Sequence, residues 1–253
     1  LFFDHVGPLP FIAGEGMDVR PDPHIGRGTG THLCAGALRP RDSEGNLQEL
    51  KPGAMNLMTA GRGIAHSERT PDVPRANGQK MLGLQSWIAL PQNREEIAPS
   101  FQHYSAASLP PVSDTGLKAR IIAGKAFDAT SPVDQTSEWF YAEVSLDAGS
   151  AAPLDADHEE RAVYLVEGEV EIAHERYEAP RLLIFRPGDR ITIHAVTPTK
   201  MMFLGGTALE GPRYIWWNFV SSSRERIEQA KQDWKMGRFA HVPEETEFIP
   251  LPE

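Results

Sequence analysis

The chain has 253 residues, which is enough for one large core or two modest domains. Its net charge of −10 excludes a generic nucleic-acid binder, which needs a basic face to neutralise phosphates. The same charge disfavours an anionic membrane surface, and no apolar run reaches the length of a membrane-spanning helix. We therefore expect no direct nucleic-acid partner and no membrane partner. The 22 Gly and 21 Pro favour a fold of many short strands and turns.

Cys34 is the one cysteine of the sequence, and we interpret it as a small core residue. An intramolecular disulfide and a cysteine-rich zinc site are both excluded, so a reducing cytoplasm is the expected location. The first residues, "LFFDHVGPLPF", lack the basic start and long apolar core of a signal peptide. Because the sequence begins with Leu, this expectation concerns only the residues given.

The first half of the chain reads as short strands separated by turns. In chain order, the strand-like stretches include "GTHLCAGAL", "LQELKPGAMNLM" and "KMLGLQSWIALP". The segment "RDSEGN" has the Ser, Gly and Asn residues that are typical of a hairpin turn. The polar, Pro-rich stretch that begins at "NREEIAPS" is predicted to connect two halves.

The second half repeats this style, with strand-like stretches such as "WFYAEVSL", "RAVYLVEGEVEI" and "RLLIFRPGD". Each half has an apolar strand interrupted by Gly, then a strand that ends in Pro-Gly. This weak repeat indicates two similar β units, either barrels or sandwiches. Near the C-terminus, "SSSRERIEQAKQDWKMGRF" has a Ser run for the N-cap, helical spacing of apolar residues and a terminal Gly. It predicts one C-terminal helix.

Two pairs of side chains have the chemistry of a metal centre. Asp22 and His24 stand two residues apart in a Pro-rich segment that favours an extended backbone, and His66 and Glu68 have the same spacing after a Gly-rich turn. In a strand, residues at this spacing face the same side. If the two segments are neighbours, four donor groups converge.

Two imidazoles and one carboxylate form the donor set of non-haem Fe(II) centres and leave coordination positions open. Oxygen and nitrogen donors without thiolate suit Fe, Mn, Co, Ni or Zn, and the residues alone do not choose among them. The alternative for His66 and Glu68 is a hydrogen-bonded polar turn. His32 shares the parity of His24, but a core histidine bonded to the backbone is the favoured interpretation.

Several segments together resemble the pirin family of the cupin superfamily over essentially the whole chain. They are "FFDHVGP", "PHIG", "RDSEGN", "PGAMNLMTAGRGIAHSE" and "IWWNFVSSSRERIEQAKQDWKMGRF". The resemblance implies an all-β bicupin, with two antiparallel β-barrels or jelly rolls packed face to face and a C-terminal helix. We expect a metal-bearing barrel over residues 1–105, and a second barrel with the C-terminal helix over residues 106–253.

The family motif is His-Pro-His followed by His-Ser-Glu. His24, His66 and Glu68 match it, whereas Asp22 stands in place of the first His. The resemblance thus implies one divalent transition metal, Fe(II) before Mn, Ni, Co or Zn, held by His24, His66 and Glu68, with Asp22 as a harder, charged fourth donor. In the second barrel, His158, Glu159 and His194 do not complete a donor set, so that barrel is interpreted as structural.

The resemblance implies two classes of function. The first is an oxygenase of the quercetin 2,3-dioxygenase type, in which a small aromatic chelating substrate such as a flavonol meets the metal and Glu68 stays a ligand or acts as a base. The second is a non-enzymatic protein that senses metal or redox state and binds a transcription factor or metabolic enzyme. A third reading is that Asp22 has ended metal binding and only the fold survives.

Overall fold

The structure is a computed structural model that describes residues 2–253. The chain forms two compact units. The first combines the residues up to Ala106 with Glu210–Glu253, and the second is Ala107–Leu209. Within residues 2–253, no helix has the length and apolar character that crossing a bilayer requires.

The first unit begins with eight strands and one short helix, α1 (Asp72–Asn77). The strands are β1 (Phe2–Phe11), β2 (Asp18–His24), β3 (Arg27–Ala35), β4 (Arg39–Asp42), β5 (Met55–Thr59), β6 (Ile64–Arg69), β7 (Gln79–Ala89) and β8 (Ser100–Tyr104). They form an antiparallel sheet of order β1-β7-β3-β5-β8 and a smaller one of order β2-β6-β4.

The second unit contains strands alone as regular structure among the residues described. They are β9 (Pro111–Asp114), β10 (Leu117–Ala123), β11 (Lys125–Ala126), β12 (Ala129–Thr130), β13 (Trp139–Leu146), β14 (Ala151–Leu154), β15 (Glu160–Glu167), β16 (Glu169–Ile172), β17 (Glu175–Glu178), β18 (Arg181–Phe185), β19 (Ile191–Ala195) and β20 (Thr199–Gly206). Two sheets, β18-β15-β20-β13-β10-β9 and β14-β19-β16-β17, enclose an apolar core. That core includes Val144, Val163, Leu165 and Phe203, each at most 1% exposed.

The chain then returns to the first unit as β21 (Tyr214–Trp216), β22 (Phe219–Ser221) and α2 (Arg224–Lys235). Helix α2 begins after Ser223, whose hydroxyl accepts a hydrogen bond from the backbone N–H of Arg226 at 3.2 Å. The prediction of an all-β chain with a C-terminal helix is confirmed.

The structure corrects the domain that was predicted over residues 106–253. Residues after Leu209 belong to the first unit, because Ile227 and Ala230 of α2 pack with Ile25 and Phe219 of that unit in one apolar cluster. The predicted connection between the halves is also partly wrong. It contains β8, which pairs with β5 as the edge of the first sheet.

The segment "RDSEGN" forms the turn that its composition predicts. The buried carboxylate of Asp42 accepts hydrogen bonds from the backbone N–H groups of Glu44 and Asn46, both at 3.0 Å. An Asp that bonds the backbone ahead of it stabilises a turn in this way. This turn follows β4, which pairs with β6 beside the candidate site.

Candidate metal centre

The two segments that carry the candidate donors are adjacent antiparallel strands. Asp22 of β2 lies opposite His66 of β6, with a bulge between Val19 and Asp22. Residues at alternate positions share a face, so Asp22 and His24 face the side that His66 faces from the neighbouring strand. The sequence spacing and this register together bring the donors to one point.

Three of the four predicted donors converge. One ligand atom each from Asp22, His24 and His66 lies within 4.8 Å of the others. The Nε2 atom of His24 is 3.3 Å from Oδ2 of Asp22, and Nε2 of His66 is 3.6 Å from Oδ1 of Asp22. The two imidazole rings meet edge to face, with centroids 4.6 Å apart. The carboxylate oxygens and the two Nε2 atoms therefore surround one small space.

Burial keeps both imidazoles neutral. His24 and His66 are 2% and 8% exposed. Desolvation lowers the pKa of His24 well below its ordinary value, and it lowers the pKa of His66 to about 3 although Asp22 opposes the shift. Burial also raises the pKa of Asp22 against the opposing charges. Neutral imidazole is the form that binds a metal ion, so burial favours the protonation state that this role requires.

Glu68 follows His66 on the same face of β6 but lies outside the group of three. Its carboxyl group is buried, and desolvation together with the charge of Asp22 raises its pKa to about 7. Glu68 lines two small cavities, of about 10 and 20 Å³. The fourth predicted donor is therefore next to the centre rather than within it.

Arg27 is a central residue that the sequence reading missed. Its guanidinium is 1% exposed, lies 2.5 Å from Nδ1 of His24 through Nη2, and stacks 3.4 Å over the ring of Trp87. Burial lowers the pKa of Arg27 to about 9, while Asp22 and Glu68 oppose this shift. The one feature of the sequence that could have indicated this role is a charged residue in the Gly-rich stretch "IGRGTG".

Asn218 is the second residue that the sequence reading missed. It lies between β21 and β22, and its side-chain amide donates to Oδ2 of Asp22 at 2.5 Å. The backbone carbonyl of Asn218 also accepts from Nε of Arg27 at 3.3 Å. The returning segment thus orients both a candidate donor and its neighbouring cation. The signal was a lone polar residue within the aromatic stretch "IWWNFV".

The donor set fits a metal ion at its centre. Oδ1 of Asp22 and Nε2 of His24 are buried, and neither has a hydrogen-bond partner within residues 2–253. Buried polar atoms of this kind require an explanation, and an ion between them is one. Arg27 sets a condition on this fit. An arginine N–H can only donate, so Nδ1 of His24 is the acceptor and the ring proton of the neutral form lies on Nε2. Binding through Nε2 therefore requires Arg27 to release Nδ1.

The other histidines named from the sequence occupy structural positions. Nδ1 of the buried His32 lies 2.9 Å from the backbone oxygen of Ala54, as the favoured interpretation required. In the second unit, His158 stacks on Phe140 with ring centroids 5.1 Å apart, and His194 lies on an outward-facing position of β19. Glu159 is exposed.

Two antiparallel β units, one of which gathers imidazole and carboxylate donors from adjacent strands, define a bicupin. Residues 1–88 match the family model described as Pirin, and residues 141–240 match the model of the Pirin C-terminal cupin domain. The chain therefore belongs to the pirin family, as the sequence segments predicted.

Individual relatives agree with this assignment. The chain is 48% identical over 257 residues to a pirin-like protein of Caulobacter vibrioides, with 100% of this chain and 88% of the relative covered. A crystal structure of quercetin 2,3-dioxygenase from Acinetobacter baumannii matches with a TM-score of 0.91 and 31% identity, covering 100% of this chain and 84% of that one. A second Acinetobacter structure of the same name has a TM-score of 0.90 and 26% identity, covering 95% and 85%.

Proposed function

We propose that the first unit binds one divalent transition metal, Fe(II) before Mn, Ni, Co or Zn, and that the protein is an oxygenase of the quercetin 2,3-dioxygenase type. The observation that carries the proposal is the convergence of Asp22, His24 and His66 within 4.8 Å. Its support from known proteins is the likeness to the Acinetobacter quercetin 2,3-dioxygenase over the whole of this chain.

The proposed substrate is a flavonol-like molecule with a hydroxy-ketone that can chelate the metal. A bound metal ion supplies Lewis-acid polarisation and a template for substrate and oxygen. The residues of the chain supply the rest. Neutral His24 and His66 provide nitrogen donors, Asp22 provides an oxygen donor, and Glu68 is placed two residues from His66 to join the ligand set or to accept the hydroxyl proton of the substrate. A pKa of about 7 suits Glu68 to proton transfer near neutral pH.

The test has two steps on anaerobically purified full-length protein. Elemental mass spectrometry should find about one transition-metal ion per chain, and more iron in Asp22→His, because imidazole is a better partner for iron than a second carboxylate. The loss of quercetin absorbance under oxygen is then followed with wild type and with His66→Ala. Turnover by the wild type alone is the expected result. An equal rate in His66→Ala would exclude catalysis at this centre.

A second candidate function rests on the size of the space beside the donors. The two cavities at Glu68, about 10 and 20 Å³, are each on the scale of a single water molecule. A flavonol requires several hundred Å³. This favours a metal-dependent interaction protein whose partner is a basic macromolecule, since the chain carries a net charge of −10. Stoichiometric metal without detectable quercetin binding by calorimetry would favour this candidate over the first.

The proposed location is the cytoplasm. The support is that Cys34 is the single cysteine of the sequence, so the chain has no disulfide framework of the kind found in secreted domains.

A further inference from the structure

The first unit contains a third, much larger cavity, which belongs to none of the functions above. Its volume is about 780 Å³, and it lies between the end of α2 and the chain that follows. Its walls are mainly apolar and are formed by Pro21, Ala65, Trp234, Phe239, Val242, Phe248 and Leu251. None of the four candidate metal donors lines it. A volume of this size is in the range of cavities that bind small molecules.

The C-terminal tail is fixed in a position that keeps this cavity open. The backbone N–H of Ile249 donates to the carbonyl oxygen of Pro21 at 2.8 Å. The indole N–H of Trp234 donates to the carbonyl oxygen of Ile249 at 2.9 Å. The tail is therefore tied both to β2 and to α2, and the space between them is preformed rather than closed by collapse of the tail.

Aromatic rings give the cavity a wall suited to a flat ligand. Trp234 meets Phe239 and Phe248 edge to face, with centroids 5.6 and 6.0 Å apart. Aromatic rings prefer offset-stacked or edge-to-face neighbours, so this wall offers favourable positions to a further ring. Phe248 is 59% exposed, and a ligand that covered it would remove apolar surface from water.

Both acidic groups of the cavity pair with the same arginine. Glu245 accepts a two-point hydrogen bond from Arg69, at 3.1 and 2.7 Å, and this pairing lowers the pKa of the Glu245 carboxyl. Glu247 accepts from the same guanidinium at 3.2 Å. One arginine thus holds both carboxylates of the wall, and these carboxylates also fix the tail on β6.

The basic groups of the cavity have no such ion pairs within the residues described. Lys235 and His241 both line it, and no ion pair joins either one to a carboxylate within residues 2–253. Lys235 is the last residue of α2, where a cation is favoured but stays available to a ligand. Lys235 is therefore a cation of the wall that is available to an acidic group of an occupant.

We propose that this cavity binds a small planar aromatic molecule that carries one acidic group. The ring lies against Trp234 and Phe248, and the acidic group faces Lys235 and His241. The size of the cavity sets the scale of the ligand, the aromatic wall sets its shape, and the unpaired Lys235 sets its charge. This proposal does not depend on metal binding or on oxygenase activity.

The test uses the full-length protein and two matched probes. Anilinonaphthalene sulfonate is an aromatic anion, and N-phenyl-1-naphthylamine is a neutral analogue of similar shape. Fluorescence titration should give saturable binding of the anion at one per chain, together with quenching of tryptophan emission by energy transfer. Phe248→Ala should weaken the binding of both probes at least tenfold, whereas Ile184→Ala, an exposed apolar residue of the second unit, should leave both unchanged.

The charge requirement is tested separately with Lys235→Gln, and Lys118→Gln of β10 is the control. Lys235→Gln should weaken the anion several-fold and leave the neutral probe unchanged. Equal weakening of both probes, or of neither, would overturn the acidic part of the proposal. Binding that does not saturate at one anion per chain, or that is the same in wild type and Phe248→Ala, would overturn the site itself. Each variant is chosen at an exposed position, and its circular dichroism spectrum checks its fold.

Discussion

The two β units share an architecture but differ in the side chains that they bury. The second unit is filled by an apolar cluster of Val, Leu, Ile, Met and Phe side chains. In the first unit, the adjacent strands β2 and β6 bury Asp22, His24, His66 and Glu68. Buried ionisable groups are costly unless they are paired, hydrogen-bonded or bound to a metal. The two units therefore differ in a few buried side chains, which are ionisable in the first unit and apolar in the second. The candidate functional site consists of these ionisable side chains.

Each unit also has an arginine that is only 1% exposed, and the two are held differently. In the second unit, Arg161 donates to the backbone oxygens of Asp155, Arg186 and Asp189 at 2.7 to 3.0 Å. In the first unit, Arg27 contacts the ring of His24. Backbone carbonyls do not change their charge, whereas the imidazole of His24 can be protonated and is a common ligand of transition metals. Arg161 is thus a structural cation, and Arg27 is a cation at a candidate centre.

The largest expected effect is the loss of metal binding by the first unit. His66→Ala or His24→Ala deletes one of the three converging donors, so metal retention after gel filtration should fall to background, as measured by elemental mass spectrometry. His194→Ala, an exposed histidine of the second unit, is the control and should retain wild-type metal content. Normal metal content in both donor variants would place the metal elsewhere.

The next effect tests the second unit as a packed core. Leu165 is fully buried on β15, and Leu165→Ala should lower the free energy of unfolding by about 2–5 kcal/mol, because it removes apolar contacts and leaves a cavity. Metal content should not change. Urea denaturation measures the loss, with Leu182→Ala, which is 44% exposed, as the matched control. A similar loss in both variants would contradict this picture of the core.

A third effect is a dependence of stability on pH that arises from Glu68 in the first unit. Because the pKa of Glu68 is raised to about 7, the folded protein favours its protonated form. The contribution of Glu68 to the free energy of unfolding is fully present below its pKa in the unfolded chain, near 4.5. It is lost as the pH rises through the folded-state pKa of about 7. In chelator-treated protein, Glu68→Gln should remove this loss, which is on the order of 3 kcal/mol. Thermal unfolding of both proteins at pH 4.5 and 8 measures it. Parallel pH profiles would place Glu68 in a more polar environment.

The smallest effect concerns Arg27. Arg27→Leu frees Nδ1 of His24 and removes a positive charge beside Asp22, so the affinity for Zn(II) or Fe(II) should rise about tenfold, near 1.4 kcal/mol. Competition with a chromophoric chelator measures this change. Arg213→Leu is the control, because Arg213 is also buried but pairs with Glu95 at 2.8 Å. Unchanged or weaker affinity in Arg27→Leu would show that Arg27 does not oppose the metal.

The sequence predicted what depends on local spacing. Two residues of separation in an extended segment put Asp22 with His24 and His66 with Glu68, and the strands proved to be neighbours. It did not predict what depends on distant chain. Asn218 reaches Asp22 from 196 positions away, and helix α2 returns to the first unit through apolar packing. No short-range pattern records contacts of that kind.

The wall between the candidate metal centre and the C-terminal cavity is a single layer of backbone. Pro21 and Ala65 line the cavity, whereas the next residue of each strand, Asp22 and His66, reaches into the centre. A molecule that prefers one arrangement of β2 and β6 changes metal affinity by some factor, and the metal changes the affinity for that molecule by the same factor. Under the two proposals above, the cavity ligand and the metal ion would each alter the affinity for the other, because a single layer of strands separates their sites.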